Sequence, residues 1–176
     1  MTIPLVTRIL IADDHAIVRA GLRKVLENES DLRVVGEADN GADAVTRALH
    51  DDVDLAILDV SMPRLTGIQA TAELHRRRPD LRILMLSMYE SEQFLFESLR
   101  AGASGYVLKS SADTDIVDAC RAVMRGDSFL YPSALSTLVR DHLARGNEHD
   151  FEVLTPRELE VLKLIAEAQS SKEIAA

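Results

Sequence analysis

Cysteine is almost absent from this sequence: Cys120 stands alone, so no disulfide can form within the chain. Cys120 falls among Ile116, Val117, Val123 and Met124 at helical spacing, which points to a buried, inert thiol rather than a nucleophile. Long apolar runs are missing too, and no stretch approaches the roughly eighteen residues of a membrane span. The opening Met1-Thr2-Ile3-Pro4-Leu5-Val6-Thr7 has no basic leader and no secretory signal, so a cytoplasmic location is expected. Positive charge is scarce. Twenty Lys and Arg against 29 Asp and Glu leave −9 overall, which argues against a chain that coats nucleic acid through bulk electrostatics. What is present is 176 residues that are 47% hydrophobic, room for one packed domain and a fragment of another.

The organising stretch is Asp54-Leu55-Ala56-Ile57-Leu58-Asp59, followed by Val60-Ser61-Met62-Pro63. Four consecutive apolar residues without alternation mark a strand covered on both faces, as in the middle of a parallel sheet. Asp59 then sits at the strand's carboxyl end, where ligands bind in open α/β sheets. From position alone it is either a site residue or a cap for the next helix.

Around it the pattern repeats. Arg8–Ala12 is a strand ending in Asp13-Asp14, and the helix after it carries Ile17, Val18, Leu22, Val25 and Leu26 on one face. Leu32–Ala38 reads as a second strand centred on Val34 and Val35. Asn40-Gly41 is a turn, and Ala44, Val45, Ala48 and Leu49 point inward from the helix that follows. Thr66-Gly67 opens a helix facing the sheet through Ile68, Ala72 and Leu74, and Pro79-Asp80 stops it. Leu81–Leu86 is a strand closing on Ser87. Its helix, with Phe94, Leu95, Leu99 and Ala101, ends at Gly102. Gly105–Leu108 is a fifth strand ending on Lys109, with Ser110 or Ser111 capping a last helix that Gly126 stops. Five strands alternating with five helices predict an α/β fold, a doubly wound five-stranded parallel sheet.

Asp13, Asp14, Asp59, Ser87 and Lys109 therefore meet at one edge. Each alone has an ordinary reading as a helix-end acid, a cap or a solvated lysine. Together they place three carboxylates side by side, which is tolerable with a cation or proton among them. All-oxygen ligands suit Mg²⁺. A divalent ion beside a carboxylate nucleophile also neutralises an incoming phosphoryl group, and lysine and serine hold its remaining oxygens.

Asp13-Asp14, Asp59 with Met62-Pro63 behind it, Ser87, and Lys109 preceded by Gly105-Tyr106-Val107-Leu108 resemble the receiver domain of bacterial two-component response regulators. Ala101-Gly102-Ala103-Ser104-Gly105-Tyr106 resembles the NarL/FixJ subfamily in particular, and the likeness runs from about residue 8 to 125 without a gap. It implies a flavodoxin-like fold with Asp59 as the phosphoacceptor. It further implies Mg²⁺ held directly by Asp14 and Asp59, through water by Asp13, and by the backbone carbonyl of Ser61. Ser87 and Lys109 are implied to hold phosphoryl oxygens. Tyr106 is implied to be an aromatic switch; read without the resemblance, it is a half-buried strand tyrosine.

Residues 1–127 are thus expected to form the receiver domain and 128–152 a linker containing an amphipathic helix built on Leu135, Leu138, Val139 and Leu143. Residues 153–176, from the cap Thr155-Pro156-Arg157-Glu158 to Ser171-Lys172-Glu173-Ile174-Ala175, resemble the start of a LuxR-type helix-turn-helix. Ala168 stands where that family usually has glycine and Ser171 where it usually has asparagine. The recognition helix that would lie in the major groove is expected to be missing from this chain. From Phe151 onward three basic residues (Arg157, Lys163, Lys172) face five acidic ones (Glu152, Glu158, Glu160, Glu167, Glu173). The expected partners are a sensor histidine kinase and, for the full-length transcription regulator, promoter DNA.

The reading is a phosphoacceptor switch with at most slow self-dephosphorylation, not an enzyme. One rival is a phosphohydrolase resembling the haloacid dehalogenase group, whose nucleophile follows strand one in an Asp-x-Asp pattern; here the residues are Asp13-Asp14-His15-Ala16. Another is a receiver that acts by protein contact alone. Homodimerisation on phosphorylation is expected, with Ile17, Val18, Ile116, Val117 and Cys120 as either the pairing surface or core.

Overall fold

The computed structural model describes residues 5–131. Its strands are β1 (Thr7–Ala12), β2 (Leu32–Ala38), β3 (Leu55–Asp59), β4 (Arg82–Ser87), β5 (Gly105–Leu108) and β6 (Phe129–Leu130). Between them run α1 (Ala16–Glu27), α2 (Gly41–His50), α3 (Gly67–Arg77), α4 (Glu92–Arg100) and α5 (Ala112–Arg125). All pairings are parallel, in the order β2-β1-β3-β4-β5-β6. The sheet has six strands where five were expected, because β6 spans two residues and is too short to show a period of its own. The amphipathic helix, most of the linker and the helix-turn-helix segment expected beyond it lie outside the described residues.

Every residue of β3 is buried, as its unbroken apolar run requires. Ile9, Ile11, Leu55, Ile57, Leu84, Leu86 and Val107 pack with Leu22 and Leu26 of α1 and Ile116, Ala119, Cys120 and Val123 of α5. Each fully buried leucine or isoleucine in this layer contributes about 1.5–3 kcal/mol relative to an exposed one. Edge strand β2 instead alternates buried and exposed residues. Its register slips by one between Ile9 and Leu10, pairing Ile9 with Val34 but Leu10 with Gly36. Val35 is the bulged residue and is 40% exposed, so only Val34 of the expected pair joins the core.

Two helix faces, on α1 and α3, differ from the sequence pattern, and a third, on α5, decides between core and pairing surface. On α1, Leu22 and Leu26 are buried and Val18 and Val25 pack against the core, but Ile17 is 88% exposed. On α3, Ala70, Thr71 and Leu74 meet the sheet; of the three expected residues Leu74 is buried, Ile68 half-buried and Ala72 exposed. Thr71 hides its hydroxyl by donating to the Gly67 carbonyl at 2.8 Å and touching Met85 Sδ at 3.1 Å. A polar residue thus serves as core, which hydrophobic periodicity does not register. On α5, Ile116 and Cys120 are core rather than pairing surface. Burial pushes the Cys120 thiol up to about 12, an inert group as expected.

The helix ends are set locally. Asn40 caps α2 by accepting from the Asp43 N–H at 3.0 Å, and Thr66 and Gln69 form a reciprocal capping box on α3. Neither candidate serine caps α5. A 3-10 turn over Lys109–Ser111 leads into it, and Ser111 at the N-cap makes no side-chain capping bond. Gly102 and Gly126 adopt φ of 102° and 88° after α4 and α5, the left-handed stops their positions predicted. No helix among the described residues is long and apolar enough to cross a membrane.

Candidate functional site

The two acids flanking the central run have opposite environments. Asp54, at the amino end of β3, receives Arg8 Nε at 2.9 Å, Arg8 Nη2 at 2.8 Å and the Arg8 N–H at 2.9 Å. The Arg8 guanidinium holds its carboxyl below the usual range, so Asp54 is a structural acid joining β1 to β3. Asp59, at the carboxyl end, is buried with its carboxyl raised, first by desolvation and then by repulsion from Asp13. Lys109 and the Ser61 N–H oppose that rise.

Parallel register brings the remaining groups to the same edge. Asp59 pairs with Leu86, so Ser87 stands one residue beyond it on the neighbouring strand. Ser87 pairs in turn with Leu108, the residue before Lys109. Lys109 reaches over the strand ends with a side chain only 6% exposed. Its Nζ lies 2.6 Å from Asp13 Oδ2 and 3.1 Å from Asp59 Oδ2. The contact with Asp13 is a close ion pair, short of an aligned hydrogen bond. Burial disfavours the charged ammonium, but Asp13 and Asp59 outweigh it and the Lys109 pKa is raised.

The loop after β1 supplies the other acids. Asp13 is fully buried, and its N–H continues the ladder to the Ala38 carbonyl at 3.1 Å. Its Oδ1 accepts from the His15 N–H at 2.8 Å, a turn that leads into α1. The Asp14 side chain is 36% exposed. His15 stands at the N-cap of α1 without capping it; its Nδ1 lies 2.8 Å from Asp14 Oδ1 and 3.2 Å from Asp13 Oδ1.

Asp13, Asp14, His15 and Asp59 each offer a ligand atom, all within 4.8 Å of one another. Three carboxylates face one ammonium, leaving an excess of two negative charges, that of one divalent cation. The donor set of hard carboxylate oxygens fits Mg²⁺. His15 is the member that sequence reasoning missed, and its adjacency to Asp13-Asp14 was the available signal. Ser61 is exposed in the loop after β3, and its N–H favours the ionised form of the Asp59 carboxylate.

Ser87 is buried at the end of β4. Its hydroxyl accepts from the Tyr89 N–H and donates to the Tyr89 carbonyl, both at 3.1 Å. Tyr106 is fully buried rather than half-buried. Its ring stacks at a tilt on Tyr131, centroids 5.7 Å apart, and its hydroxyl has no hydrogen-bond partner. Desolvation pushes that phenol up; Ser87 lies near enough to pull the other way, though not at hydrogen-bonding geometry.

Residues 9–121 match the family model described as the response regulator receiver domain. The chain is 39% identical over 175 residues to the oxygen regulatory protein NreC of Staphylococcus carnosus, covering 96% of this chain and 81% of that protein. It is 37% identical to NreC of a Staphylococcus epidermidis strain, with the same coverage. Its fold is similar to the crystal structure of a LuxR-family two-component response regulator from Aurantimonas sp., with TM-score 0.74, 31% identity, and 78% of this chain and 99% of that one covered. It is also similar to the isolated REC domain of RcsB from Salmonella enterica serovar Typhimurium, in a structure obtained with the phosphomimetic BeF3−. There the TM-score is 0.69 and the identity 33%, over 74% of this chain and 97% of that one.

Proposed function

From the premise that this chain belongs to the response regulator receiver-domain family and is a two-component response regulator, we propose that Asp59 is its phosphoacceptor and a sensor histidine kinase its donor. An Asp59 carboxylate oxygen attacks phosphorus, the bond from phosphorus to the donor's imidazole nitrogen breaks, and its electron pair leaves with the imidazole. An acyl phosphate results. The observation that carries this reading is the Asp59 carboxylate, buried at the central strand's end with Lys109 Nζ 3.1 Å away and two further acids beside it.

Asp13, Asp14, Asp59 and the Ser61 carbonyl would hold Mg²⁺ there, and the ion, when bound, would supply neutralisation of the phosphoryl charge. Lys109 already bridges Asp13 and Asp59, so its ammonium is within reach of an oxygen on phosphorylated Asp59. Ser87 must release the Tyr89 carbonyl in order to donate to a second oxygen. That release frees the loop into α4 and gives Tyr106 a reason to move, a local bond change that biases a two-state element.

The output is a switch in a cytoplasmic protein, with at most slow self-dephosphorylation. Phosphorylation favours a homodimer and, in the full-length regulator, DNA binding. The test is labelling with acetyl phosphate and Mg²⁺. Wild type is expected to take up one phosphoryl group, EDTA to prevent it, Asp59→Asn to remain unlabelled, and sedimentation with beryllofluoride to show a larger dimer fraction. Equal labelling of Asp59→Asn, or multiple-turnover phosphatase activity, contradicts the reading.

A further inference from the structure

We infer that Arg19 is a positioning residue for the acidic site, fixing the Asp13–Asp14 peptide from outside it; the inference rests on the reading of that site as a Mg²⁺-dependent phosphorylation centre. Arg19 lies on α1 with a side chain 17% exposed and uses two arms of its guanidinium in different directions. Nη1 donates to the Asp13 backbone carbonyl at 2.7 Å, and Nε donates to Glu37 Oε2 on β2 at 3.1 Å.

The carbonyl it holds belongs to the peptide joining Asp13 to Asp14. Because that unit is planar, holding its oxygen restrains the plane and with it the position of the Asp14 Cα from which the side chain departs. Asp13 has other anchors: its N–H on Ala38, its Oδ1 on the His15 N–H and its Oδ2 on Lys109. Asp14 is far more exposed, and the side-chain partner it meets among the described residues is His15 Nδ1 at 2.8 Å, so it depends most on the plane that Arg19 sets. Metal affinity is sensitive to such supporting contacts because the ligand oxygens must converge within about 0.5 Å.

Arg23 provides the contrast. It binds the same Glu37 through Nε at 2.7 Å and Glu27 through Nη1 at 2.7 Å, but makes no contact with Asp13 among its hydrogen bonds. A purely structural role for the α1–β2 ion pairs predicts that losing either arginine has the same consequence. A positioning role predicts that only Arg19 matters to the metal. Lysine cannot replace Arg19 fully, since a single ammonium reaches the carbonyl or Glu37 without the fork that spans both.

The experiment is calorimetric titration with Mg²⁺, together with the Mg²⁺ dependence of Asp59 labelling by acetyl phosphate. It compares wild type with Arg19→Met, Arg19→Lys and Arg23→Met. Arg19→Met is expected to weaken Mg²⁺ binding about 10-fold and to shift the half-saturating Mg²⁺ concentration by the same factor, with full labelling restored at saturation. Arg19→Lys is expected to recover part of the loss, and Arg23→Met to bind Mg²⁺ like wild type. Arg19→Met within about twofold of wild type overturns the inference, as does an equal loss in Arg23→Met. Should Arg19→Met lack the native circular dichroism spectrum, Arg19→Lys decides: about threefold weaker binding supports the inference and wild-type binding overturns it. A wild-type protein that neither binds Mg²⁺ nor labels on Asp59 refutes the site reading itself.

Discussion

A methyl group on Gly67 would stand 1.9 Å from the backbone oxygen of Asp59. Helix α3 therefore begins in contact with the strand end that presents the acid, and the Gly67 N–H donates back to the Val60 carbonyl at 3.0 Å. Gly67→Ala is expected to cost about 3 kcal/mol, the upper range for inserting a methyl group into a packed site. It should also weaken Asp59 labelling by displacing the strand end. Urea unfolding with a midpoint unchanged from wild type contradicts this.

Asp59 gives a pH dependence with a definite sign. An acid whose folded pKa is raised costs stability once it ionises: no cost below its ordinary 3.8, a full cost above the raised value. Asp59→Asn removes that cost and is expected to stabilise the protein at neutral pH by on the order of 1 kcal/mol, raising Tm by about 4 °C. The two proteins should converge as pH falls toward about 3. A gap in Tm that stays constant down to that pH indicates another cause.

Asp13 and Asp14 are expected to separate in stability while agreeing in metal binding. Either alanine substitution should remove Mg²⁺ affinity. Asp14 is partly exposed, and Asp14→Ala should leave stability within about 0.5 kcal/mol of wild type. Asp13 is the closer partner of buried Lys109, and Asp13→Ala should destabilise by about 3 kcal/mol by stripping that ammonium of its nearer charge. Equal unfolding free energies for the two variants count against the pairing.

Tyr106 and Tyr131 test the end of the sheet. The Tyr106 hydroxyl is buried without a partner, so Tyr106→Phe should match wild type or exceed its stability by up to about 1 kcal/mol. Tyr131 is buried against the Tyr106 ring just past β6, and Tyr131→Ala should cost about 3 kcal/mol through the cavity it leaves. Loss of stability in Tyr106→Phe indicates a hydrogen bond formed in solution.

The strand ends were legible in the sequence because a parallel sheet is written redundantly: a central strand is apolar without a break, and its last residue is followed by a polar loop. That pattern brought Asp13, Asp59, Ser87 and Lys109 to one edge, where the strand registers and the Lys109 ion pairs place them. The stops at Gly102 and Gly126 were legible too, since a left-handed residue is a local requirement.

What a side chain does across space was not legible. Helical period put Ile17 on one face with Val18 and Leu22 and left core or pairing surface open, whereas α1 turns it to solvent; it also passed over Thr71, whose hydroxyl is satisfied by its own helix. Nothing local in Arg19 says that its donors end on the Asp13 carbonyl and Glu37. Residue types and their spacing along the chain specified which groups meet at the sheet edge. Packing of α1 and β2 around β1 decided how they are held, because a charge–charge or carbonyl contact depends on ångström distances between elements distant in sequence, and the period of any one element carries no record of them.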